Sequence, residues 1–409
     1  MLNALWAGMI LVACLVALIH ALLAGQGTIF VGMVQSLFDS AKTGFEISLG
    51  LAGVMALWLG ILRVAEAGGS LALLTRALAP LFKRLMPEVP AHHPAQGAVV
   101  MNLSANVLGL DNAATPLGLA AMRELQTLNP KPDTASNAMI LFLVLNASSV
   151  TLLPLTIFAY RAQMGAQDPT DVFVPILIAT YCSSMAGLFA VALAQRINLL
   201  HWVVLAYLGV ATALVVGLAG YFGNLPAEAM RQQSAVFSNA LLLGLIVVFL
   251  TSALWRRVKV YEVFIEGAKE GFQIAVGIIP YLVAMLLAIG LLRASGALEN
   301  LLEGIRYLVQ IVGGDTRFVE ALPTALVKPF SGSGARAMMV ETMRHYGADS
   351  FAGRLSAVIQ GSTETTFYVL AVYFGSVGVQ RSRHAISCAL FADFVGVVAA
   401  IAVCYAFFG

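Results

Sequence analysis

Residues 326–343 read LVKPFSGSGARAMMVETM and bring together Lys328, Ser331, Ser333 and Arg336, with Gly332 and Gly334 set between the hydroxyls. Two cations, two hydroxyls and a backbone without side chains are the means of holding an anion or a strongly polar solute. Glycine lets main-chain N–H groups approach a ligand closely, and a helix beginning at Ser333 would aim unpaired N–H groups and a partial positive charge at it. The first half of the chain carries a matching set in NLSANVLGLDNAATPLG, with Asn102, Ser104, Asn106, Asp111, Asn112 and Thr115; there a helix would begin at Asn112, with Pro116 in its first turn. Two further polar runs follow. LNASSVTLLP holds Asn146, Ser148, Ser149 and Thr151, and IQGSTETTFY holds Gln360, Ser362, Thr363, Glu364, Thr365 and Thr366. Pro154 cannot donate to the carbonyl one turn earlier, which leaves acceptors near residues 146–150 for a cation, a substrate hydroxyl or water. Glu364 is the one acid in its Ser/Thr run, fit to bind a proton or sodium, or to neutralise Lys328 or Arg336.

What surrounds these residues gives them weight. Of the 409 residues 60% are hydrophobic and only 11% are charged, against roughly a quarter charged in soluble domains, and the mean hydropathy is +0.88. The chain is an integral membrane protein, and in such a chain polar groups at depth mark a site by default. Single Ser and Thr residues carry less, because they commonly bond a preceding carbonyl or serve as small packing residues. The net charge of +2 is small and scattered, which excludes a nucleic-acid partner. Cys14, Cys182, Cys388 and Cys404 stand singly in apolar runs and read as small hydrophobes. The uncharged first segment is too long for the apolar core of a signal sequence and reads as a spanning helix.

Stretches able to cross about 30 Å of hydrocarbon fall near residues 2–25, 44–65, 136–160, 172–195, 200–222, 235–254, 271–292, 354–378 and 384–408. LTRALAPLFKRLM and ALENLLEGIRYLVQIV have the charge spacing of helices lying in the interface plane. Residues 95–128 and 319–345 are apolar but interrupted at their centres by polar residues, Gly and Pro, so that neither flank is long enough to span. Irregular backbone at that depth needs protein or a watery cavity around it, and both are expected to be re-entrant hairpins of two half-helices.

The halves echo one another. GFEISLGLAGVMALWLGILRVAEAGG from Gly44 answers GFQIAVGIIPYLVAMLLAIGLLRASGA from Gly271, and the order of span, interfacial helix, hairpin, broken span and last span then recurs. The expected fold is an all-α polytopic membrane protein of two inverted repeats, each with about four spans, interfacial amphipathic helices, one hairpin and one broken helix. Residues 1–199 form the first repeat, 200–234 a connecting helix and loop, and 235–409 the second. Counting basic residues in alternate loops puts the N-terminus on the cytoplasmic side.

Other chemistries fit less well. Lys328 and Ser331 could pair as base and nucleophile, but no oxyanion architecture accompanies them, and SGSGARA is not a phosphate-binding P-loop. An enzyme, a nucleotide cofactor or a metal site is not expected. His92 and His93 beside Pro94 have no third ligand near. Asp393, alone in the last span, is either a partner for Arg381 or Arg383 or a proton-relay group.

NLSANVLGLDNAATPLGLAAMREL resembles the signature of spore maturation protein A, whereas GFQIAVGIIPYLVAMLLAIGLLRASGALE, KPFSGSGARAMMVE and GSTETTFYVLAVYFGSVGVQRSRHA resemble spore maturation protein B. The chain therefore looks like a fusion of the two. Both carry the nucleoside-recognition or Gate domain, which is similar to parts of concentrative nucleoside transporters and bacterial ferrous iron transporters. That resemblance implies transport or permeation. The resulting expectation is a secondary transporter in a bacterial cytoplasmic membrane, moving a small polar or anionic solute, nucleoside-like or another metabolite, with a proton or sodium ion. A scaffold or sensor acting in cell-envelope or spore maturation is the alternative. The candidate binding residues are Asn102, Asn106, Asp111, Asn112, Thr115, Asn146, Ser148, Ser149, Lys328, Ser331, Gly332, Ser333, Gly334, Arg336, Ser362, Thr363, Glu364 and Thr365, with a coupling ion near Asn146, Thr151 and Glu364. Expected partners are the solute and membrane lipid, and the amphipathic helices would suit a homodimer.

Overall fold

The computed structural model describes residues 2–24, 27–90, 92–109, 111–148 and 151–409, without the side chains of 2–5, 24, 111–113, 227–228 and 231. Among the described residues the regular structure is helical. In chain order the helices are α1 (Leu2–Ala24), α2 (Ile29–Ala67), α3 (Ser70–Leu85), α4 (Pro94–Val107), α5 (Asp111–Thr127), α6 (Asn137–Ser148), α7 (Leu155–Gln163), α8 (Phe173–Gln195) and α9 (Trp202–Gly223). The second half holds α10 (Ala227–Trp255), α11 (Val260–Ala294), α12 (Ala297–Ile311), α13 (Leu322–Val327), α14 (Gly332–Tyr346), α15 (Phe351–Ser362), α16 (Thr366–Ser376) and α17 (Ala385–Phe408).

Seven of these are long and apolar enough to cross a membrane: α1, α2, α8, α9, α10, α11 and α17. The chain is a multi-pass membrane protein. The expected spans at 136–160 and 354–378 are each two short helices, α6 with α7 and α15 with α16, divided where the polar runs fall. The apolar windows at 44–65 and 271–292 underestimate their helices, which run for 39 and 35 residues. Asp39 and Lys42 precede the apolar window in α2 and Glu46 lies at its start, yet the helix continues through them, because all three are exposed and Lys42 and Glu46 face one another one turn apart.

Helices α2 and α11 pack along their length and run in opposite directions: Gly44 lies against Val283, Gly60 against Phe264, and Gly271 against Met55 and Ala56. Small residues let the two backbones approach. A methyl group at Gly267 or Gly271 would stand 2.5 Å from the Leu59 or Met55 carbonyl oxygen. The pair α8 and α17 is also antiparallel, with Gly187 beside Ala392 and Ser183 beside Gly396, and Ser183 Oγ donates to the Ala392 carbonyl at 2.9 Å.

Loops tie the two halves at both ends. On one side the Gln380 and Arg381 N–H groups both donate to the Asp133 carbonyl, and the Ala135 N–H donates to the Arg381 carbonyl. On the other, fully buried Arg161 pairs with Asp171 at 2.8 Å and Asp349 at 3.2 Å and donates to the Ala348 carbonyl at 2.8 Å. Arg354 joins this network through Asp171 at 2.7 Å. Asp393 is paired with neither arginine named for it above: Arg381 lies 3.7 Å from Asp133, Arg383 donates to the Ala135 carbonyl, and Asp393 accepts from the Thr366 hydroxyl at 2.7 Å.

Candidate functional site

Each polar interruption becomes a place where a helix stops. Helix α4 ends at Val107, Gly109 turns the chain with a φ of 72°, and α5 starts at Asp111. Side chains rarely adopt that φ, and a methyl group there would meet the Leu153 carbonyl oxygen at 2.5 Å, so the turn needs glycine. Because α5 begins at Asp111, Pro116 lies inside it rather than in its first turn and leaves one carbonyl of that turn without its usual N–H. In the second half α13 stops at Val327, and Ser331 caps α14, its Oγ accepting the Gly334 N–H at 3.0 Å. Helix α14 thus starts at Gly332, one residue before the Ser333 start read from sequence.

The turns and the breaks hold one another by main-chain hydrogen bonds. The Leu152 N–H, in the first break, donates to the Val107 carbonyl at the first turn, and the Phe367 N–H, past the second break, donates to the Pro329 carbonyl at the second turn, both at 2.9 Å. The Glu364 N–H crosses between the halves to the Ala147 carbonyl at 2.7 Å. These bonds occupy acceptors that the sequence left open for a cation: Ala147 O takes Glu364, and Ser148 O takes the Ser184 hydroxyl at 3.0 Å.

The four segments enclose a cavity of about 810 Å³. Asn106, Thr115, Asn146, Thr151, Lys328, Ser331, Gly332, Ser333, Arg336, Thr363, Glu364 and Thr365 all line it. Asn106 Nδ2 donates to Asn146 Oδ1 at 2.7 Å, and the Tyr373 hydroxyl reaches the same oxygen at 3.4 Å. The Asn146 amide in turn donates to the Phe142 carbonyl, which fixes its orientation. Lys328 Nζ donates to the Gln360 carbonyl at 2.9 Å.

Other candidates stand behind this wall. Asn102 is buried and donates to the Ala114 carbonyl at 2.7 Å. Ser148 and Ser362 bond preceding carbonyls of their own helices, Val144 and Ile359. Gly334 is packed between Met285 and Val327. These four support the lining and do not form it. The side chains of Asp111 and Asn112, and all of Ser149, lie outside the described residues.

The cavity also has a wall that the sequence did not disclose. Glu270, Gln273, Ile274, Gly277, Ile278 and Tyr281 line it from α11. Their spacing is one face of a helix, and the signal was the presence of Glu270, Gln273 and Tyr281 on one stripe of an otherwise apolar span. Tyr160, Tyr368 and Tyr373 add phenols. With Glu270 counted, the lining residues Lys328, Arg336, Glu270 and Glu364 balance in formal charge, where the sequence alone pointed to a cationic site.

Among the described residues, three buried polar atoms of the lining have no hydrogen-bond partner: Arg336 Nε, the Tyr160 hydroxyl and Gln360 Oε1. Such atoms are uncommon in folded proteins and call for an explanation. Neither Arg336 nor the Glu364 carboxylate joins any ion pair among the described residues. Two donors and an acceptor, all stranded, suit a ligand with an anionic end and a hydrogen-bond donor.

The sequence model for nucleoside recognition, the Gate domain, matches residues 48–164 and 275–380. Each matched stretch contains one turn and one break of the cavity. The chain is 46% identical over 154 residues to spore maturation protein B of Bacillus subtilis, which covers 38% of this chain and 85% of that protein. It is 36% identical over 188 residues to spore maturation protein A of the same organism, covering 46% of this chain and 92% of that protein.

Proposed function

The chain belongs to the Gate, nucleoside-recognition family, and from that premise we propose that it is a secondary transporter of a small polar or zwitterionic solute in the cytoplasmic membrane of a bacterium. One observation carries the reading: both turns and both helix breaks face one cavity of about 810 Å³, lined by Arg336, Tyr160 and Gln360, each with a buried polar atom that has no partner among the described residues. Unpaired buried donors cost free energy, and a ligand in the cavity would satisfy them.

In this reading α4 with α5, and α13 with α14, are re-entrant hairpins, and residues 1–199 and 235–409 are inverted repeats. The antiparallel course of α2 and α11 supports the inversion. The echo from Gly44 and Gly271 pairs those two helices, and the contact of Gly44 with Val283 has its counterpart in Gly271 with Ala56. Elements related this way rock against one another to open a central site to each side in turn. The solute's anionic end lies at Arg336 and the start of α14, and Glu364 takes the coupling proton or sodium ion.

The test is flux. Purified protein in proteoliposomes, given a labelled mixture of nucleosides, amino acids and organic acids under a proton or sodium gradient, accumulates at least one solute, and substitution of Ser333 or Glu364 abolishes uptake without unfolding. Solute-induced thermal stabilisation with no flux under either gradient would replace the transporter by a membrane sensor.

A further inference from the structure

A second cavity, of about 350 Å³, lies where α8 ends and α9 begins, against the end of α3 and the first residues of α6. Lys83, Arg84 and Arg196 line it, together with Glu88, Asn137 and His201. None of the three strong cations joins an ion pair among the described residues. His201 Nδ1 accepts the Val203 N–H at 3.2 Å, which leaves Nε2 to act as a donor. Glu88 accepts from Asn137 Nδ2 at 2.7 Å, and Asn137 Oδ1 is buried with no partner among the described residues.

Basic residues at the ends of α3 and α8 are expected singly, because they complement the negative helix terminus. That does not explain an open polar cavity between them, nor a stranded amide oxygen in its wall. The location narrows the ligand. The cavity is at the junction of two spans, hence at the bilayer surface, and beside it Leu193, Leu200 and Trp202 are 82%, 80% and 74% exposed. Apolar chains have a surface to lie on immediately next to the cations. This is the end of the bundle that also carries Arg256, Arg257 and Lys259, between α10 and α11, the cytoplasmic side by charge.

We infer that this cavity holds the headgroup of an anionic glycerophospholipid. The phosphate diester meets Lys83, Arg84 and Arg196, a headgroup hydroxyl donates to Asn137 Oδ1 and Glu88, and the acyl chains run down past Leu193 and Trp202. Three cations against one carboxylate select a net negative lipid, and the stranded acceptor selects a headgroup with hydroxyls, as in phosphatidylglycerol. Basic pockets between spans on this side of a membrane bind such headgroups. The inference is independent of what the central cavity binds.

Native mass spectrometry of the full chain in detergent, titrated with dioleoylphosphatidylglycerol or dioleoylphosphatidylcholine, tests it. The wild type retains one phosphatidylglycerol at least about tenfold more tightly than phosphatidylcholine. The K83Q/R84Q/R196Q protein loses that preference, and Asn137→Leu weakens phosphatidylglycerol while leaving phosphatidylcholine unchanged. If the triple variant does not fold, Arg84→Gln alone, at an exposed position, lowers phosphatidylglycerol retention. Equal retention of the two lipids by the wild type, or an unchanged preference in the basic-residue variant, overturns the site. Competition by free glycerol 3-phosphate at the same concentration as the lipid overturns the assignment to lipid.

Discussion

Arg336 offers a test in which stability and binding move in opposite directions. Its side chain lines the central cavity, makes no hydrogen bond or ion pair among the described residues, and buries Nε without a partner. A buried donor left unsatisfied costs about 1–3 kcal/mol. Arg336→Met keeps an unbranched stem in the space and removes the stranded group, so the empty protein gains about that amount, with Tm rising by about 2 °C per kcal/mol in a chain of this size. In the proposed reading the same change deletes a charge-assisted hydrogen bond to the solute. Bonds of that kind contribute about 1.5–3 kcal/mol, so affinity falls roughly 10- to 150-fold. Thermal unfolding of the full chain in detergent, read by intrinsic fluorescence with and without the solute found in the uptake screen, measures both. A methionine variant that melts below the wild type without solute, and binds solute as the wild type does, would refute the assignment of Arg336 as a ligand group.

Three further outcomes follow from other parts of the structure. Arg161→Ala removes the buried cation shared by Asp171 and Asp349 and leaves both on Arg354 alone, and a chemical-denaturation series should show a loss of about 1.5–3 kcal/mol, the contribution of hydrogen bonds to charged groups. Gly271→Val drives a side chain into the Met55 carbonyl; the expected cost is about 1–3 kcal/mol or more, visible as a lower Tm, whereas the same change at Gly277, which has open space around it, should leave Tm within a degree or so of wild type. Glu364→Gln removes the acid from the cavity without breaking any side-chain bond, since the Glu364 link to Ala147 is through the main chain. Counterflow exchange of solute should survive in that variant while accumulation driven by the ion gradient is lost, as measured in proteoliposomes.

The turns and helix breaks were legible because hydrophobicity is so uniform elsewhere. A Gly-Ser-Gly turn flanked by Lys328 and Arg336, or Asn-Ala-Ser-Ser before Pro154, cannot continue an apolar span without stranding polar groups, and the structure divides the helices at those points. Eleven of the eighteen proposed ligand residues face the central cavity, and Thr151, named for the coupling ion, faces it with them. Sequence does not say which way a side chain on an interrupted helix turns, and so it did not separate Asn106, which faces the cavity, from Asn102, one turn earlier and bonded behind it to Ala114. Nor did it anticipate that Ala147 and Ser148 carbonyls would be taken by partners from α8 and from the second break, because those partners lie far away in the chain. The α11 wall was missed for a different reason. Gln273 and Tyr281 sit in a run apolar enough to be read as a plain span, and only the face shared with Glu270 distinguishes them.

The contacts between the halves also bear on subunit stoichiometry. Asp133 and Ala135 exchange three main-chain hydrogen bonds with Gln380 and Arg381, Ala147 takes one from Glu364, and Arg161 reaches across to Asp349. The covalent route from one half to the other runs instead through α9, where Val204 and Phe222 are the buried residues among those described, and through the short turn at Asn224–Pro226. Cohesion therefore belongs to the seam, and the joining peptide chiefly sets a one-to-one ratio and a high local concentration of each half for the other. A chain opened at that turn and expressed as two polypeptides would reassemble as an obligate heterodimer, neither piece closing the cavity alone.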